Sequence, residues 1–247
     1  MNRDRTALSY WFPKIEAAGI PVPRTKIVHM PRAAQEAIWA AFDGKDAGDP
    51  KPFFAELTAA ASEIGFPVFL RTDHTSGKHN WKRCCFVPSA DVIPQHVFNL
   101  AEFSECVDLI GLPWDTWVVR EFLPTTPVGT CPRYGGMPIC REFRFFVVDG
   151  ETRCWHCYWP RHALEEGGAA ADLDYEAMSS LGAETERMLT DLANAAGRAV
   201  GGAWSTTCLR PGAAGTLPTW PRPLTRGTSG RTARTVSGSL TPELGRR

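Results

Sequence analysis

The chain has 247 residues, 43% of them hydrophobic, with 27 lysines and arginines against 27 aspartates and glutamates. That length suffices for one substantial core, as one domain or two closely packed lobes. The balanced charge excludes a global attraction to nucleic acid or an anionic membrane, so any anion binding must be local.

No apolar run approaches the length of a membrane span. The first residues run into a segment broken by Pro13 and Lys14, unlike the apolar core of a signal peptide. A cytoplasmic protein is therefore expected, with its eight cysteines as free thiols. Cys154-Trp155-His156-Cys157 has a metal-like spacing, but a strand points positions three apart to opposite faces, and no second pair closes a zinc site.

Leu8 to Ala18 is a predicted helix ended by Gly19, and the prolines of Ile20-Pro21-Val22-Pro23 lead into a strand, Lys26 to Val28. Pro31 to Phe42 and Phe53 to Ile64 read as helices, the first with proline in its first turn, the second closed by Gly65. Phe66 to Arg71 is a compact strand ending in a cation. The polar loop Thr72 to Asn80 separates it from a second strand near Arg83 to Val87. Val97, Leu100, Phe103, Val107 and Ile110 recur at helical spacing and predict a helix over 92–110, before a buried strand, Thr116 to Leu123. Asp149-Gly150 joins Arg141–Val148 to Glu151–Trp159 in a hairpin, because this dipeptide accepts the positive φ angles of a tight turn. A loop over 165–174 leads to a last helix, Ala183 to Val200, closed by Gly201-Gly202.

Several residues point to chemistry. Arg71 at a strand end, followed by a loop bearing Ser76, Gly77 and Lys78, suits a polyphosphate, since both cations bond phosphate oxygens and glycine lets backbone amides approach. An ordinary solvated loop is the plainer alternative. In the hairpin, alternation puts Glu142, Arg144 and Phe146 on one face and Arg141, Phe143, Phe145 and Val147 on the other. That shared face is either a cross-strand ion pair of small energetic value or a hydroxyl acceptor beside a cation for phosphate or carboxylate. Trp155, Tyr158, Trp159 and Arg161 shape a pocket or simply fill a core. Where Trp117–Leu123 meets Pro124, backbone groups lose their ladder partners and can pair with a planar ligand edge.

In order and spacing these pieces resemble the ATP-grasp superfamily. Gly19–Pro23, the Phe66–Arg71 strand with its loop, Val118–Leu123 and Arg141-Glu142-Phe143-Arg144 carry the resemblance, which covers Leu8 to Trp204. It looks like the small single-domain members of phages and actinobacteria. The resemblance implies an α+β fold of two lobes with ATP between them, with an N-terminal helical and strand segment over 1–65, the core lobes over 66–204 and a disordered tail, 205–247. It implies adenine at the backbone of Glu121, Phe122 and Leu123, ribose at Glu142, and phosphates near Arg71 and Lys78, with arginine where the family usually has lysine. The implied chemistry is ligation of a small-molecule or peptide carboxylate through an acyl phosphate, using magnesium-ATP, with Arg144 as the catalytic cation. A non-catalytic nucleotide- or partner-binding module is the alternative, and a nucleic-acid binder using the arginine-rich tail is a third.

The end of the chain departs from the family. Magnesium wants hard oxygen ligands, yet after Ser205 the only acid is Glu243, with no Asp or Asn. No residue is therefore assigned to the metal. The tail, rich in Thr, Pro, Gly and Arg, is expected to be disordered, leaving two late strands missing and the sheet prone to aggregate. Back-translated one base earlier, Gly215 to Ser229 can be read W-Y-V-T-D-M-A-P-A-A-D-S-W-H-F, and Ser205-Thr206 as V-D, the absent strands with their acids. A frameshift near Trp204 accounts for this. Resequencing the gene across that codon is expected to reveal the one-base discontinuity; an uninterrupted frame with no family-like alternative removes the explanation.

Overall fold

Strand alternation sorts the chain into two sheets with separate cores in the computed structural model, which describes residues 4–46, 48–107, 110–168, 173–209 and 222–223. Strands β1 (Thr25–His29), β2 (Val68–Thr72), β3 (Phe86–Val87) and β4 (Thr116–Glu121) pair antiparallel in the spatial order β1–β4–β2–β3. Val28, Val68, Leu70, Trp117 and Val119 are buried with α2 (Arg32–Phe42), α3 (Lys51–Ile64) and α5 (Ile93–Glu105). By alternation the opposite face of this sheet carries Phe69, Arg71, Val118 and Arg120.

The second sheet contains β7 (Glu142–Val148), β8 (Glu151–Cys157), β9 (Ala203–Leu209) and the two-residue β10 (Arg222–Pro223), ordered β10–β9–β7–β8. Phe143, Phe145, Val147 and Trp204 bury against α1 (Leu8–Ala17) and α8 (Ala183–Val200). Helix α8 offers Leu189, Ala193, Ala196, Gly197 and Val200 at helical spacing. Gly197 lets it sit close: a Cβ there would lie 2.4 Å from Val147 Cγ1. Val118 of the first sheet joins this second core, so α1 is lodged where the two sheets meet. A short hairpin of β5 (Gly129–Cys131) and β6 (Met137–Ile139) packs with α6 (Arg161–Glu166) and α7 (Tyr175–Ser179) around Cys131, Ile139, Trp159 and Met178.

The β7–β8 turn forms as expected, with Asp149 at φ 52° and Gly150 at φ 82°, and burial alternates along β7 as the sequence predicts. Other boundaries differ. The expected strand near 83–87 begins later: Arg83 and Cys84 belong to α4 (Trp81–Cys84), where Trp81 and Cys84 bury one helical turn apart, and the strand is Phe86–Val87, β3. Helix α5 ends at Glu105 rather than near Ile110, where Gly111 at φ 68° and the Leu112 amide, bonded to Ser104 O, turn the chain away. Ile110 is exposed. Strand β9 continues to Leu209 along β7, past the point where the tail was expected to begin, since Thr206, Thr207 and Leu209 suit a strand. Residues 210–221 and 224–247, where the remaining tail and the alternative-frame segment fall, lie outside the described residues. No helix among the described residues is long and apolar enough to cross a membrane.

One contact joins α1 to the first sheet. Helix α1 has no side-chain cap from its own N-cap residue, Ala7. Asp73, in the loop after β2, supplies the missing acceptors: Oδ1 accepts from Ser9 N at 2.7 Å, Oδ2 from Ser9 Oγ at 2.6 Å, and its backbone O from Leu8 N at 3.3 Å. Asp73 is buried. Replacing it, Asp73→Ala, is expected to lower stability by roughly 2–3 kcal/mol, the range for hydrogen bonds to a charged group, in urea unfolding. A loss below about 0.5 kcal/mol, the size of an ordinary surface substitution, would show that the α1 terminus does not depend on it.

Candidate functional site

Where β4 stops at Glu121, the chain runs on through Phe122 and Leu123 along a cleft between the sheets. Counted out to its open mouth the cleft holds about 820 Å³, within the range of pockets that bury small ligands. One wall is aromatic. Phe69 and Trp81 line it with Phe122, and Phe86 packs behind, 4.6 Å from Trp81 and 5.0 Å from Phe122 between ring centroids. Met137, Pro138 and Trp159 of the β5–β6 unit face this wall.

Of the corner residues, Glu121 is already engaged. Its amide donates to Arg24 O at 2.8 Å, and its carboxylate accepts from Arg24 N at 3.2 Å and Nε at 3.4 Å. Phe122 and Leu123 have no ladder partner in either direction.

The polar end is built around Tyr158. Gly77, at φ 56°, turns the loop so that Lys78 opens a 3-10 turn, and a Cβ at 77 would come within 3.0 Å of Cys84 Cβ. Lys78 Nζ donates to the Tyr158 hydroxyl and lies 4.2 Å from its ring centroid. Arg144, on β7, sits 4.7 Å from the same ring. Tyr158 is held there by its amide, which donates to Glu142 O at 2.8 Å. Burial pushes the Glu142 carboxyl above its ordinary range, and the charges of Lys78 and Arg144 oppose that rise.

Behind this cluster lie two more guanidinium groups. Arg120 lines the cleft and is buried, with Nε donating to Thr25 Oγ1 at 3.3 Å and its charge 5.7 Å from the Phe12 ring. Burial first, and the Arg71 charge second, bring its pKa down to about 9. Arg71 donates from Nε to Thr72 O at 2.9 Å and from Nη2 to Asp73 O at 3.2 Å.

Lys78, Glu121, Phe122, Leu123 and Glu142 therefore line one cleft. Arg144 and Arg71 do not line it: Arg144 packs on the ring of Tyr158, to which Lys78 donates, and Arg71 donates to the backbone of its own loop. Sequence reasoning missed Arg120, Phe69, Trp81 and Cys140. Alternation places Phe69 and Arg71 on one face, but only the register pairing Phe69 with Arg120 adds the second arginine to it. The aromatic run at the hairpin's end divides: Trp159 faces the cleft, Trp155 packs on the second core with Nε1 bonded to Glu186, and Arg161 pairs with Glu176.

Comparison with solved structures finds a similar fold elsewhere. C-terminally truncated Cdc123 from Schizosaccharomyces pombe matches at a TM-score of 0.55 and 14% identity, over 89% of this chain and 83% of that one. A second structure of Cdc123 from the same organism matches at 0.53 and 13%, over 90% and 86%. The α+β fold is shared with these two structures. A looser likeness, at a TM-score of 0.49 and 12% identity over 88% of this chain and 54% of that one, is to D-alanine–D-alanine ligase from Bacillus anthracis complexed with ATP. No family model and no curated protein matches the sequence. The cleft lies between the two sheets: Lys78, Arg120 and Glu121 come from the side of the first, and Glu142 from the second.

Because burial raises the Glu142 carboxyl pKa while Lys78 and Arg144 lower it, removing one cation has a definite sign. Lys78→Met is expected to raise the Glu142 pKa further, followed by carbon-detected NMR titration. A carboxyl raised above its unfolded value favours the folded state below the unfolded pKa and loses that contribution as pH rises through the folded pKa. The variant should therefore lose more stability than the parent between acidic and neutral pH. An unchanged Glu142 titration would mean that Lys78 does not act on it.

Proposed function

We propose that the cleft binds ATP. The base would lie against Phe69, Trp81 and Phe122 with its edge on the backbone groups of Phe122 and Leu123. The polyphosphate would extend toward Lys78 and Arg144, with Arg71 and Arg120 adding positive potential behind them. The observation that carries this reading is the joining, in one cleft, of an aromatic wall beside unpaired strand-end backbone to Lys78, Arg120 and Glu142, with Arg144 next to Lys78 across the Tyr158 ring. Glu142, beside Lys78, would accept from ribose hydroxyls.

The reaction we propose for such a cleft is carboxylate ligation. A substrate carboxylate oxygen attacks the γ-phosphorus, ADP leaves, and an amine or other nucleophile then displaces phosphate from the acyl carbon. Arg144 would neutralise charge on the transferring group and Lys78 would orient the phosphates. The substrate would be a small-molecule or peptide carboxylate, in a cytoplasmic setting.

Magnesium, which the fold implies, does not fit the residues present. Glu121 is held by Arg24, Asp73 by Ser9, and Glu142 faces two cations. Among the described residues no group of three or more His, Cys, Asp or Glu is placed to hold a metal ion. Turnover by this chain is therefore expected to be poor, and the same lack of paired carboxylates favours a second reading, a nucleotide-binding module without catalysis. Reversing the frameshift proposed near Trp204 would restore acids to the late strands.

Thermal unfolding with and without ATP tests the site, because a ligand that binds only the folded state raises the melting temperature. ATP is expected to stabilise the protein, and Lys78→Ala to weaken its binding about tenfold, the size of one charge-assisted phosphate contact. Phosphate release with a panel of carboxylates and amines should stay near background. No stabilisation by ATP would sink the site, and rapid carboxylate-dependent release would sink the impairment.

A further inference from the structure

The charge inventory of the cleft goes a step further than nucleotide binding. Two cations line it, Lys78 and Arg120, while Arg144 packs on the Tyr158 ring that Lys78 bonds and the charge of Arg71 acts on Arg120. Against them the cleft offers Glu142, and its charge is met by Lys78 and Arg144. The other lining carboxylate, Glu121, is turned onto Arg24, 3.4 Å away. No acid enters from the late strands, because beyond Ser205 the whole sequence contains Glu243 alone and no Asp or Asn.

A magnesium-nucleotide site shares the phosphate charge between the metal and the protein, and one or two carboxylates hold the metal in place. Here the division is different. Arginine and lysine face the region a polyphosphate would occupy, and no carboxylate pair balances an added divalent cation. Magnesium bound to the phosphates would cancel two of their negative charges and occupy oxygens that Lys78 and Arg144 would otherwise bond. It would also bring its own positive charge close to theirs, where partial burial leaves like-charge repulsion poorly screened.

We propose, on the reading of this cleft as an ATP site, that its ligand is the metal-free nucleotide and that magnesium opposes binding. The cations of the chain take the part that the metal plays in a magnesium-nucleotide site. Lys78, mounted on the loop that Gly77 turns inward, and Arg144, mounted on β7, approach the phosphates from the two sheets.

Calorimetric titration of ATP into the full chain tests this, run once with EDTA and once with excess magnesium chloride at matched ionic strength. Binding with EDTA is expected to be about tenfold tighter than with magnesium. Lys78→Met should remove most of that preference, because it takes away a cation with which the metal competes. Equal affinity in the two buffers, or tighter binding with magnesium, overturns the inference and leaves the ATP site standing. Binding in neither buffer overturns both.

Discussion

Like charges gathered at one place repel, and the cleft exists only because each of its cations is held by something other than a ligand. Arg71 is fixed by the carbonyls of Thr72 and Asp73, and Arg120 by Thr25 and the face of Phe12. Lys78 and Arg144 share the ring of Tyr158, and Glu142 sits within their field. Burying charges without such partners would cost several kcal/mol each. Burial first, and the charge of Arg71 second, depress the Arg120 pKa.

Asp73 ties this electrostatic arrangement to the rest of the molecule. Its side chain receives the first turn of α1, and its carbonyl receives Arg71. Helix α1 belongs to the core of the second sheet, while Asp73 follows β2 of the first. One short loop thereby sets both the relation of the sheets and the position of an arginine behind the cleft. Phe12 on the same helix lies against Arg120, which couples the packing of α1 to the site a second time.

Much of the site was legible before any coordinates. Strand alternation put Glu142 and Arg144 on one face and Phe143, Phe145 and Val147 on the other, and burial follows that division. The Asp149-Gly150 turn and the span of α8 also followed from local rules, because their signals lie within a few residues of each other. Boundaries failed where tertiary contacts overrode local pattern. Residues 81–84 wound into a helical turn to bury Trp81 and Cys84 together, and α5 stopped short of Val107 and Ile110 because the chain turned back onto Ser104.

By itself the sequence determined which residues alternate, where turns with positive φ must fall, and that the chain beyond Ser205 holds almost no acid, since these depend on neighbours along the backbone or on composition alone. Only the tertiary structure decided that Arg120 joins Arg71 through the register of β2 with β4, that Tyr158 brings Lys78 and Arg144 together, and that Asp73 caps a helix 64 positions away. Those contacts join segments far apart in the chain. Their geometry is set by how two separately cored sheets pack about α1, and no local periodicity encodes that packing.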